Sequence, residues 1–472
     1  MPKPERPPRV APPREAAALT AATALIALLA AGPAHAEKPR AQAGPAESEA
    51  AVHAFVGAQI LPISGPPIDR GVLVIRGSLI AAVGAADEVE IPSDAVRHEL
   101  TADTVIMSGL VDTHSHIGGP FAADRSAPIQ PAVRSLDGID ARSPGFQRAR
   151  AGGLTTLNLM SGSGHLMSGQ TVYVKLREAA TIDDILIRRE DAPGGGIAGG
   201  MKMANGTNSR RDPPFPGTRA KSAALVREQF IKAEEYRRKV ERAAGDAEKR
   251  PDRDLAMEAL GEILDGSRTV HHHTHRHDDI LTVLRLREEF GDFDVVLHHV
   301  SDAWKVADEI AAAGVGSSVI VIDSPGGKLE AMHASLETGG VLERAGALVA
   351  FHTDDWITDS RLFLRSAALA VRGGMSREGA LRAMTLSGAE MLRLDDRIGS
   401  LEAGKDADFI ILSGDPLSVY TRVEQTYVEG EKLFDLEDDK DRLIASGGWG
   451  AGSERDAHVA CVGLHLHEEH DR

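Results

Sequence analysis

The feature that most narrows the possible folds is a rhythm. Between residues 269 and 355, short apolar runs alternate with charged amphipathic ones. TVHHHTH is followed by DDILTVLRLREEFG, VVLHHVS by DAWKVADEIAAAG, SSVIVIDS by EAMHASLETGGVLERAG, and then comes ALVAFHTDD. The apolar runs are too short for helices and rich in β-branched residues, so they read as strands. The longer runs read as helices, the first opened by Asp278 as N-cap and the second stopped at Gly314. Strand–helix repetition makes neighbouring strands parallel, because each helix returns the chain to the starting edge. About eight such units close a barrel. Four are clear in the C-terminal half. The less regular N-terminal half offers TVIMSGLVDTHSH, GGLTTLNLM and GQTVYVKLR as strands and KSAALVREQFIKAEEYRRKVERAAG as a long charged helix. The expected fold is α/β, a (β/α)8 TIM barrel over residues 107–398.

The flanks have another texture. Residues 51–106 are short β-like runs with turns, and β texture returns over 399–435. Two short β regions on either side of a barrel are expected to pair into one small composite β-sandwich. Residues 37–50 are small and polar and read as a linker. Residues 436–472 are charged and carry His458, His465, His467 and His470, and the expectation there is a solvated tail.

The first 36 residues read as an address. A basic, proline-rich start precedes the apolar run AAALTAATALIALLAA and ends in Ala34-His35-Ala36, the pattern of a cleavable signal peptide cut before Glu37. That predicts a periplasmic or secreted protein with no membrane span after cleavage. The net charge of −17 argues against nucleic-acid backbones as partners. Cys461 is the one cysteine, so no intrachain disulfide and no cysteine-based zinc site can form. Any metal site must use His, Asp, Glu or Lys.

Candidates for such a site fall at strand ends. His114 and His116 in VDTHSH are two apart, so the pleat puts both on one face. The strands in VHHHTH, LHHV and FHTDD also finish in His or Asp. In a barrel, strand C-terminal ends form the active-site rim, and four inward-facing ligand candidates on four strand ends make a cation site.

With these motifs together, the chain resembles the amidohydrolase superfamily, in its imidazolonepropionase-like and metal-dependent dipeptidase-like branch. GLVDTHSH matches the first-strand motif, HHTHRHDDI resembles the fifth, LHHVSDAWKVAD the sixth and FHTDD the eighth. RIGSLEAGKDADFIILSGDPL matches the return to the β-sandwich, and the resemblance covers about residues 51–435. It implies metal-assisted hydrolysis of C–N bonds. The ligands it implies are His114, His116, His273, His299 and Asp354, with His299 in place of His298 and Asp354 also as the catalytic acid–base. Asp355 would face away in a capped turn. GGMKMANGTN resembles the fourth-strand segment, where Lys202 would be carboxylated and bridge two metals. Lys175 in YVKL is its rival, and a surface position is open to either. Relatives usually carry proline where this chain has Ser108, which bears on local rigidity rather than chemistry. Among the clustered histidines, His275 would sit on the rim toward substrate and His271 deeper. His272 would point outward, and His277 would precede the helix cap.

The ligand set predicts a mechanism. One or two divalent ions, expected to be zinc, would lower the pKa of water toward about 7, and Asp354 would take its proton and deliver it to the leaving nitrogen. The segment GTNSRRDPPFPGTRAK is long and basic for a loop at the rim. Arg210, Arg211 and Arg219 could there grip a substrate carboxylate, and His165 could add a contact. The substrate expected is a small molecule: a dipeptide, an N-acyl amino acid or a cyclic amide. The alternatives are a ring-amine deaminase and a non-catalytic metal- or ligand-binding barrel. Barrels of this kind often associate, and a homo-oligomer is a compatible state.

Overall fold

The computed structural model describes residues 51–120, 122–321, 328–355 and 357–447. The signal-peptide and linker readings, Cys461 and the histidines of the tail lie outside these residues. No described helix is long and apolar enough to cross a membrane.

The rhythm of residues 269–355 forms the predicted elements. Strands Met201–Ala204, Val270–Thr274, Val295–His299, Gly316–Ile320 and Val349–His352 lie side by side and mutually parallel. Strand Met167–Gln170 adds to this sheet antiparallel to Met201–Ala204. A second sheet holds Leu110–Ser115 parallel to Leu154–Leu159, with Val172–Lys175 antiparallel beyond it. The two sheets meet where the Asp354 amide donates to the His114 carbonyl at 3.0 Å. Every residue of the strands bearing His114, Lys202, His273, His299 and His352 is buried. Strands covered on both faces suit a parallel sheet packed under helices, and they explain why these runs show little polar alternation.

The flanking segments interleave. Val105–Ser108 pairs antiparallel with Phe409–Leu412, so one five-stranded sheet takes strands from both ends of the described chain. A four-stranded sheet is built from Val52–Val56, Gly71–Arg76, Leu79–Ala85 and Val96–Glu99. Phe55 of the four-stranded sheet packs edge-on against Phe409 and Tyr427 of the five-stranded one, at 5.0 and 5.3 Å between ring centroids. Each such buried ring contributes about 1.5–3 kcal/mol.

Several expectations need correction. TVIMSGLVDTHSH is two strands, Val105–Ser108 and Leu110–Ser115, in different sheets. Gly109 makes the turn between them, and a Cβ there would lie 2.3 Å from the Thr155 side chain. Only glycine lets the backbone pass so close. GQTVYVKLR likewise divides into Met167–Gln170 and Val172–Lys175. The run EAMHASLETGGVLERAG is no continuous helix. A 3₁₀ turn at Leu329–Ala331 precedes a short helix, Thr338–Arg344. Asp278 is not an N-cap, because helix His277–Glu289 starts one residue earlier and the Asp278 carboxylate pairs with Arg276. The charged tail begins with helix Asp439–Ser446, capped by the Asp438 side chain.

Candidate metal centre

The strand ends deliver their side chains to one buried place. His116 Nε2 lies 2.9 Å from Asp354 Oδ1, His114 Nε2 lies 3.4 Å from the same oxygen, and His299 Nδ1 lies 3.9 Å from Asp354 Oδ2. His273 stacks edge-on against His299 and His275, with centroids 4.3 and 4.7 Å away. Lys202 is fully buried, its Nζ 3.2 Å from both His114 Nε2 and Met160 Sδ. His299 and Asp354 have φ of 70° and 47°. Left-handed backbone costs a branched or polar side chain of order 1–3 kcal/mol and concentrates where function needs a fixed geometry.

Asp112, from the same first-strand motif, acts through the backbone. Its Oδ1 accepts from the amides of His114 and Thr353, each at 3.1 Å, and Oδ2 accepts from the Thr353 hydroxyl. It thereby clamps the end of Leu110–Ser115 to the end of Val349–His352. Burial pushes its carboxyl up to about 7 against those three hydrogen bonds.

A chain of hydrogen bonds sets the tautomer of His299. Thr113 Oγ1 lies 3.5 Å from the Phe351 carbonyl and 2.6 Å from Ser318 Oγ. Ser318 Oγ is 2.7 Å from His352 Nδ1, and His352 Nε2 is 3.1 Å from His299 Nδ1. A carbonyl only accepts, so counting outward from Phe351 makes Thr113, Ser318, His352 Nδ1 and His299 Nδ1 successive donors. His299 Nε2 is then left as a bare lone pair, buried and without a hydrogen-bond partner.

The donor set fits a divalent cation. Among the described residues, both ring nitrogens of His273 and Nε2 of His275 and His299 are buried without hydrogen-bond partners, a state that costs about 1–3 kcal/mol per group unless a ligand supplies the missing interaction. His116 Nδ1 lies 2.7 Å from the Met160 carbonyl and must donate to it, so Nε2 faces the Asp354 carboxylate and needs a proton or a cation between them. Burial holds His114, His273 and His299 well below the ordinary imidazole range, and neighbouring positive groups add to the effect, so the rings are neutral and able to ligate. Burial would raise the Asp354 carboxyl, but the hydrogen bond and charge of His116, with His352 and Lys202, outweigh it and hold it below the usual carboxylate range. One donor atom each from His114, His116 and Asp354 lie within 4.8 Å of one another, and so do those of His114, His298 and His352 and of His273, His275 and Glu330.

Comparison with known proteins bears on what this centre is. An amidohydrolase of known structure from Thermotoga maritima is 31% identical, with a TM-score of 0.73 over 81% of this chain and 99% of that one. The chain belongs to the amidohydrolase superfamily. Residues 270–434 of the chain also match the amidohydrolase family model. Amidohydrolase tasK of Hapsidospora irregularis is 27% identical over 395 residues, covering 77% of this chain, and the chain spans 40% of that relative's length. An imidazolonepropionase of Picrophilus torridus is 40% identical over 74 residues, 14% of this chain and 19% of that protein.

The fold places the sequence-derived candidates unevenly. His114, His116, Lys202, His273, His299 and Asp354 converge. His275 joins them, with Nδ1 fixed 2.8 Å from Ser301 Oγ. Lys175 does not. It is buried against Asp408 and lies 2.8 Å from Asp406, a joint between strand Val172–Lys175 and the flanking sheet. His165 Nε2 binds the Asp124 carbonyl at 2.6 Å, and Arg210 Nε donates to the Gly206 carbonyl at 3.1 Å. The Arg211 guanidinium lies 3.9 Å over the Phe215 ring and also donates to the Gly164 carbonyl. Arg219 is committed to Asp279 and Glu330. His272 is buried, its Nδ1 3.0 Å from the His273 carbonyl. Asp355 sits in the expected turn, its amide donating to Thr353 Oγ1 at 3.0 Å, and pleat direction does not set its orientation because the strand has already ended at His352.

Four residues of the centre escaped sequence reasoning. His298 was passed over for its neighbour, and His352 was hidden beside the more conspicuous Asp354. Tyr173 bonds His271 at 2.8 Å beneath the site. Glu330 gave no local signal at all, lying in a run whose pattern read as helix.

Proposed function

We propose that the chain is a metal-dependent hydrolase that cleaves a C–N bond of a small substrate: a dipeptide, an N-acyl amino acid or a cyclic amide. The observation that carries this reading is the meeting of Asp354 with His114 and His116 opposite buried, neutral and unpartnered imidazoles. In this proposal the strands close into a (β/α)8 barrel carrying a composite β-sandwich, zinc is the metal, and the N-terminal segment directs export.

When bound, a divalent cation supplies Lewis acidity, bringing the pKa of water toward about 7 and polarising a carbonyl. His114, His116, His273, His299 and Asp354 are the residues that would hold one or two such ions, with His114, His116 and Asp354 around the first. The chain's own groups do the rest. Asp354, ionised at neutral pH, accepts the proton of the attacking water at a carboxylate oxygen and returns it to the leaving nitrogen. Asp112 and the Thr113–Ser318–His352 chain keep the ligands oriented. Burial pulls the Lys202 ammonium down to about 7, opposed by the charge of Asp354, so much of it is the free amine that carboxylation requires. The loop bearing Arg210 and Arg211, tied to His165 through Phe215, forms the proposed substrate wall, where a carboxylate would gain charge-assisted bonds.

The test is a chelated protein reloaded with zinc, manganese or cobalt and assayed on dipeptides, N-acyl amino acids, cyclic amides and ring amines. The reading expects C–N hydrolysis that chelation abolishes. Turnover of ring amines alone would favour deamination, and metal binding without any turnover would favour a binding protein.

A further inference from the structure

We propose that His273, His275 and Glu330 form a second cation locus whose oxygen donor is the Glu330 carboxylate; this rests on the metal-dependent reading above. One donor atom from each lies within 4.8 Å of the others, and all three side chains are at least nine-tenths buried. Their hydrogen bonding is incomplete in a consistent direction. His275 spends Nδ1 on Ser301, and its Nε2 has no partner. Both nitrogens of His273 are unpartnered. Glu330 Oε2 accepts from the Thr207 amide at 2.8 Å and from Arg219 at 3.2 Å, while Oε1 has no hydrogen-bond partner among the described residues.

The carboxylate is held in place from behind. A Cβ on Gly206 would come within 2.7 Å of Glu330 Oε2, so glycine leaves room for it. With Oε2 anchored, Oε1 is fixed as a pre-oriented donor. Two imidazoles and one carboxylate suit zinc and its first-row neighbours. The unpartnered Nε2 of His299 is a further donor at hand, its ring centroid 4.3 Å from that of His273.

This arrangement differs from a bridge through carboxylated Lys202 in where the second ion finds its oxygen. The two are separated by zinc content per full-length chain, measured by mass spectrometry after chelation, reloading and desalting. The locus predicts about two zinc ions in the wild-type protein, about one in Glu330→Gln and in His275→Gln, and about two in Lys202→Met. Far-ultraviolet dichroism and a thermal melt check each variant's fold, and if Glu330→Gln does not fold, His275→Gln decides. Wild-type zinc content in both Glu330→Gln and His275→Gln overturns the locus. So does a loss of one zinc confined to Lys202→Met, which moves the oxygen donor to the lysine. If Asp354→Asn still loses zinc in either case, the hydrolase reading stands while the locus falls. A wild-type chain that binds no zinc overturns both.

Discussion

Lys175 and Lys202 are buried to the same extent and have opposite surroundings. Lys175 meets two carboxylates, Asp406 and Asp408, and the network continues from Asp406 through Arg397 and Glu429 to Arg177. Lys202 meets an imidazole and a thioether. A buried charge with full partners is a structural joint, here between strand Val172–Lys175 and the flanking sheet. A buried amine lacking a directly paired carboxylate loses its charge near neutral pH and becomes available for chemistry. The contrast separates the two lysines that the sequence left as rivals, and it extends to whole regions. The joint satisfies its polar atoms, whereas the metal centre leaves several ring nitrogens open.

The comparison can be broken by substitution. The largest expected effect is at Asp354: Asp354→Asn should lower kcat about 10²–10⁴-fold, read on whichever amide the zinc-loaded protein hydrolyses, with its thermal melt retained. Next are the lysines themselves. Lys175→Met strands two buried carboxylates and should cost roughly 3–5 kcal/mol in denaturant unfolding of the chelated protein. Lys202→Met removes a desolvated amine and should change stability by about 1 kcal/mol or less, in either direction. Equal losses for the two would erase the distinction.

Smaller effects sharpen it. Ser318→Ala interrupts the chain that fixes the His299 tautomer and should weaken zinc binding about 10–100-fold in a chelator competition, with little change in fold. At the joint, burial would raise the Glu429 carboxyl, but Arg177, Lys175 and Arg397 outweigh it and hold it below its ordinary value of 4.5. Its folded pKa lies below its unfolded one, so its contribution is complete above the ordinary glutamate range and is lost as pH falls through the lower folded value. Glu429→Gln should therefore destabilise by about 1–3 kcal/mol at pH 7, with the gap to wild type closing as pH falls below the ordinary glutamate value of 4.5 and through the lower folded one. A gap that is independent of pH would show that Glu429 contributes through packing alone.

How much of this was legible depended on whether the signal was local. The strands carrying His114, His273 and His299, and the one that leads to Asp354, announced themselves through short apolar runs ending at ligand-type residues. In the second half of the βα rhythm the strands survived, while the helices shifted: slightly at Asp278, where pairing with Arg276 replaced capping, and by several residues in the next two, which begin at Ala307 and Thr338. What failed was non-local. Nothing in MSGLVD says that the chain changes sheet at Gly109, because the cause is Thr155, 46 residues later. Lys175 and Lys202 look alike until Asp406 and Asp408 are brought to one of them. Glu330 is turned inward by Arg219 and Thr207, from a loop more than 100 residues earlier, so its run could only be read by its helical spacing.

The most direct test of the central claim is a diffraction experiment on zinc-loaded crystals at the zinc absorption edge. The account predicts an anomalous peak among His114, His116 and Asp354 that is lost in Asp354→Asn. Fully loaded crystals with no peak there would contradict it, and would leave the open histidines as an unexplained cost to the fold.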